Sequence, residues 1–127
     1  MPSVVLDASA VLAVLNGEPG ADVVLAEIDN AVMSTVNYAE VASKLIDQGQ
    51  NHRSAKETIF RLGIQIADFT LPLADRASAL RSSTKHRSLS LGDRACLALA
   101  ERENCIALTS DTTWRDAVPT IAVRLIR

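Results

Sequence analysis

Aromatic residues are nearly absent: Tyr38, Phe60, Phe69 and Trp114 make up 3% of the chain. That excludes a surface that stacks single-stranded bases on aromatic side chains. Cysteine is scarce too. Cys96 and Cys105 sit in apolar surroundings and cannot form a disulfide framework. They read as reduced packing residues, as expected of a cytoplasmic protein. His52 and His86 are isolated, and no CxxC or HxxxH spacing occurs, so zinc is not expected. No glycine-rich loop follows an apolar run, which removes Rossmann and P-loop nucleotide binding. No apolar run reaches membrane-spanning length and no cationic leader is present, so neither export nor a membrane partner is expected. Positive charge is not in excess either: the net charge is -2 and the pI is near 5.6. A general electrostatic coat for nucleic acid is therefore not expected, although a local basic patch stays open.

What is there suits one globular domain spanning 1–127. Hydrophobic residues make up 48% and charged residues 22% of the chain, with no linker, repeat or low-complexity segment. The stretch Ser3 to Ser9 organises the rest. Val4, Val5 and Leu6 have no polar face, as in a strand covered on both sides. Asp7 follows at once, and Ala8 to Leu15 reads as a helix ended by Gly17 and Pro19. Asp7 thus sits at the carboxyl end of a parallel strand, the edge where open α/β sheets bind ligands. Taken singly, it is better explained as a helix N-cap.

Further along, helices are expected over Ala21 to Ile28, Thr35 to Gln50, Arg53 to Leu62 and Pro72 to about Lys85. Tyr38, Val41, Ala42, Leu45 and Ile46 form one stripe on the second of these. Glu40 lies beside that stripe, and taken alone it pairs with Lys44 at i,i+4. Ser90 and Asp93 have capping-box spacing ahead of a helix that is apolar all round from Ala95 to Ala100. Strands are expected at Ala31 to Ser34, Ile64 to Ala67 (an edge), Ile106 to Thr109 and Thr120 to Leu125, with a short helical turn at Trp114 to Ala117. Asp111 lies just past the fourth strand. The alternation predicts an α/β fold with a parallel sheet and helices on both faces.

Asp7 and Asp111 then end neighbouring strands, while Glu40 and Asp93 begin helices on the same edge. All four can reach one crevice. Carboxylates facing one another repel unless a cation neutralises them, and oxygen ligands without His or Cys select Mg2+ or Mn2+. Such ions serve phosphodiester hydrolysis without a side-chain nucleophile. Ser9 stands where an aspartyl phosphatase has a second Asp, so covalent phosphoryl transfer is disfavoured. A receiver domain lacks its acidic pair and its Lys here. The most basic patch is Arg81, Lys85, His86 and Arg87, either a solvated helix end or a phosphate contact; Arg94 is added to that RNA-binding set.

The Val-Val-Leu-Asp-Ala-Ser-Ala opening, the Tyr-Ala-Glu-Val around Glu40, the Ser-Leu-Gly-Asp-Arg-Ala-Cys-Leu-Ala-Leu-Ala around Asp93 and the Ala-Leu-Thr-Ser-Asp of Asp111 together resemble the PIN-domain ribonucleases. The nearest subgroup is the VapC-type toxins of toxin–antitoxin pairs. The resemblance runs from Ser3 to about Val123. It implies a three-layer α/β/α sandwich with a central parallel sheet and Mg2+- or Mn2+-dependent cleavage of RNA. Asp7, Glu40, Asp93 and Asp111 are then the metal-binding and catalytic acids, with Ser9 and Thr109 as supporting hydroxyls. Asp116 leaves the fourth acidic position open. The resemblance also implies a homodimer, a cognate antitoxin that blocks the acidic pocket, and operator DNA reached only through that antitoxin. The rival expectation is a catalytically weak PIN-like module that binds RNA or protein.

Overall fold

The computed structural model describes residues 1–127. Val4–Leu6 forms β1, wholly buried, and Ala8–Asn16 forms α1. Gly17 takes the left-handed conformation (φ 65°) that a helix C-cap requires, and its N–H closes the helix on the Ala13 carbonyl. Ala21–Glu27 is α2, Ala31–Ser34 is β2 and Thr35–Asp47 is α3. His52–Phe60 is α4, Gln65–Ala67 is β3 and Leu71–Thr84 is α5, with Pro72 in its first turn. Leu91–Glu103 is α6, Ile106–Thr109 is β4 and Val123–Leu125 is β5.

All strand pairs are parallel, in the order β3-β2-β1-β4-β5. The strand alternation splits the core in two. Val5, Val32 and Ala107 point to the α5/α6 side, where they pack with Leu80, Leu97, Leu99 and Trp114. Val4, Leu6, Met33 and Leu108 point to the other side, against Val11, Val24, Val41, Leu45 and Ile59 from α1 to α4. The result is the three-layer α/β/α sandwich expected from the sequence. No single helix is long and apolar enough to cross a membrane. Cys96 and Cys105 are buried and unpaired.

The sheet edge differs from the sequence reading in three places. The last strand covers only Val123–Leu125. Thr120 and Ile121, β-branched though they are, belong to a turn in which the Ile121 N–H donates to the Val118 carbonyl after Pro119. The helical turn falls earlier, at Thr112–Trp114, because Asp111 caps it. Ile46 is 43% exposed rather than inward, although Leu45 before it is buried.

Candidate active site

Register places the acids. Leu6 of β1 pairs with Leu108 of β4, so the chain leaves both strands at one edge. Asp7 is 4% exposed there and caps α1, its Oδ1 accepting from the Ala10 N–H at 2.8 Å. Ser9 Oγ donates to the same oxygen at 2.7 Å, and Thr109 Oγ1 donates to Oδ2 at 2.6 Å. These hydroxyls in turn accept from the loop after β4: Ser110 N–H donates to Ser9 Oγ and Asp111 N–H to Thr109 Oγ1, both at 3.0 Å. The Asp7 carboxylate is therefore fixed by two hydroxyls that also fix the backbone carrying Asp111.

Asp93 is the third helical residue of α6 and completes a capping box. Its Oδ2 accepts from the Ser90 N–H at 2.9 Å, and its own N–H donates to Ser90 Oγ at 3.1 Å. Asp111 Oδ1 accepts from the Thr113 N–H and hydroxyl. Glu40 is exposed and makes no ion pair with Lys44; its Oε1 accepts from Asn37 Nδ2 at 2.8 Å. A Cβ on Gly92 would lie 2.6 Å from the Glu40 carboxyl carbon, so Glu40 sits over the first turn of α6, beside Asp93. For all four acids the cap or local hydrogen bond and the convergence on one edge hold together.

The electrostatics show that convergence. Burial pushes the Asp7 carboxyl up to about 6 despite the hydrogen bonds from Thr109, Ser9 and Ala10, and the Asp93 charge adds to the rise. Asp93 is raised as well, first by burial; Ser90 holds it down, and the Asp111 charge pushes it further up. Beneath them the buried Cys96 thiol is pushed up by burial and by the charges of Asp7, Asp93 and Glu40. None of the six ion pairs in the molecule involves Asp7, Glu40, Asp93 or Asp111. Arg94 is the one cation whose charge lowers Asp93, and carboxylates without an ion pair and with no His or Cys donor fit a hard divalent cation in chemistry and in charge. No three of them close around a common point as they stand. Mg2+ does not need that, because it keeps several waters and takes only one or two carboxylates.

Asp116 is exposed in a left-handed turn (φ 56°) and lines a cleft with Arg115, Pro119 and Leu125. Asp111, not Asp116, is the acid whose charge reaches Asp93.

The basic set divides. Arg81 and Lys85 are exposed and unpaired. Arg87 is spent on the protein: its Nη1 donates to the carbonyls of Thr113 and Arg115, at 3.2 and 2.6 Å. Arg94 is half-buried, with Nη1 donating to the Ala77 carbonyl at 2.9 Å. Arg87 and Arg94 thus each give a donor to a backbone carbonyl of a neighbouring segment, whereas Arg81 and Lys85 do not. Asn37 and Gly92 were not singled out from the sequence. The usable signal was there, an amide at i-3 from Glu40 and a glycine in a helical first turn.

The class this defines is a parallel α/β fold with an acidic crevice at the carboxyl edge of its sheet. Residues 4–118 match the PIN domain family, and the chain belongs to it. Its fold is similar to a toxin–antitoxin complex from Klebsiella pneumoniae (22% identity, TM-score 0.78, covering 98% of each chain). It is similar as well to DNA-bound VapBC from Salmonella typhimurium (11% identity, TM-score 0.76, covering 100% of each chain). A third likeness is to VapBC2 from Rickettsia felis bound to a DNA fragment from its promoter (14% identity, TM-score 0.73, covering 96% of this chain and 97% of that one). No curated protein matches significantly by sequence.

Proposed function

We propose that this chain is the toxin of a toxin–antitoxin pair, a Mg2+- or Mn2+-dependent endoribonuclease. The observation that carries the reading is the crevice itself. Four carboxylates from four separate segments share one sheet edge with no ion pair to any of them, and one of them is 4% exposed. A fold keeps so costly an arrangement where it is used. Asp7, Glu40, Asp93 and Asp111 are the residues placed to hold the ion. When bound, such an ion supplies a Lewis acid for a phosphoryl oxygen and a water acidic enough to attack phosphorus. The chain's own part is orientation. Ser9 and Thr109 hold both Asp7 oxygens, the capping box holds Asp93, and Thr113 holds Asp111. Arg81 and Lys85 supply the positive charge a phosphate backbone needs. The partners assigned to this chain are RNA as substrate, a cognate antitoxin, a second copy of the chain, and operator DNA through the antitoxin.

The test is cleavage of labelled total RNA by wild type and Asp7→Asn, each with Mg2+, Mn2+ or chelator. Discrete fragments from wild type alone, only with metal, support the proposal. Intact RNA in every condition, with folding verified, turns the assignment to an RNA- or protein-binding module.

A further inference from the structure

Asn37 is 1% exposed in the first turn of α3, and its side chain joins two elements. One Nδ2 hydrogen goes to Glu40 Oε1 at 2.8 Å and the other to the Gly92 carbonyl of α6 at 3.1 Å. Both partners only accept, so the NH2 end must face them. That leaves Oδ1 buried with no hydrogen-bond partner. An unpaired buried acceptor costs stability, and an apolar residue here would avoid the cost. The amide is therefore retained for its two donors. They act where the acids meet. Glu40 has no other hydrogen bond and no ion pair, and the Gly92 peptide directly precedes Asp93. Gly92 supplies the space, since any Cβ there would run into the Glu40 carboxylate.

We propose that Asn37 is a positioning residue that fixes the Glu40 carboxylate against the first turn of α6, so that Glu40 and Asp93 act on one divalent cation. The inference rests on the metal reading above and goes beyond it by assigning the device that couples α3 to α6. Residues that orient a ligating carboxylate typically change metal affinity about 10- to 100-fold when removed.

The experiment is a Mn2+ titration of the full chain followed by the free-ion spin resonance signal, with no RNA present. The proteins are wild type, Asn37→Ala, Glu40→Gln and the double variant. Asn37→Ala should weaken Mn2+ binding about tenfold or more, and it should add nothing to the loss already caused by Glu40→Gln. Unchanged affinity in Asn37→Ala, or a full further loss on the Glu40→Gln background, overturns the inference. Wild type that binds no Mn2+ fails differently: it removes the metal reading itself, and this inference with it. Should Asn37→Ala not fold, Mg2+ addition to 15N-labelled wild type decides. The Asn37 side-chain amide signals should move in wild type and stay still in Glu40→Gln. Signals that do not move in wild type contradict the inference.

Discussion

Thr109 Oγ1 donates to Asp7 Oδ2 at 2.6 Å across 102 positions of sequence, tying the end of β4 to the end of β1. The same oxygen accepts from the Asp111 N–H. Replacing it therefore strips a donor from a buried carboxylate and an acceptor from the Asp111 loop. Thr109→Val should destabilise the protein at neutral pH by about 1–3 kcal/mol in urea unfolding, and Thr109→Ser by much less. A Thr109→Val variant as stable as wild type, with the loss falling on Thr109→Ser, would show that the methyl group, not the hydroxyl, matters.

The buried Asp7 gives stability a definite pH dependence. The unfolded chain releases this proton near 3.8, whereas burial keeps it on the folded chain up to about 6. Charged Asp7 therefore costs the fold stability above about pH 6; the cost fades as pH falls and is gone below 3.8. At neutral pH it is on the order of 3 kcal/mol. In chelator, Asp7→Asn should be more stable than wild type at about pH 7.5, and the gap should narrow toward about pH 5. A gap that is constant or reversed contradicts the burial account.

Gly92→Ala separates fold from site. An alanine suits a helix better than glycine by about 1 kcal/mol, and the nearest atoms in its way belong to the half of the Glu40 side chain that carries the carboxylate, not to backbone. Melting temperature should hold or rise while RNA cleavage falls sharply. A variant with full cleavage would mean that Glu40 need not stay over α6.

The split in the basic residues has a salt signature. Arg81→Ala with Lys85→Ala should flatten the salt dependence of RNA binding, by about 0.7 in log–log slope for each lost phosphate contact. Arg87→Ala should leave that slope alone and instead loosen the loop after β4, whose carbonyls it holds. Filter binding across a salt series distinguishes them.

Much of this was legible in the sequence because the signals are local. A bare apolar triplet followed by an acid marks β1 and Asp7, and a capping box marks the start of α6. The order of strands was accessible only as parallel alternation, since pairing across 100 residues leaves no local trace. The fates of Arg87 and Arg94 were illegible for the same reason: their carbonyl acceptors lie 26 and 17 positions away at the nearest. Asn37 looked like an ordinary helix residue because its second partner, Gly92, is 55 positions off. Thr120 and Ile121 misled in the opposite direction, where strand propensity yielded to a turn after Pro119.

The central claim is that the carboxylates at the ends of β1 and β4 and at the start of α6 form one divalent-cation site. Anomalous diffraction from crystals soaked in Mn2+ tests it most directly. The account predicts a peak beside Asp7 that also reaches Asp93 or Asp111 and is lost in Asp7→Asn. A well-soaked crystal with no peak in that crevice, or with Mn2+ only elsewhere on the surface, would contradict it.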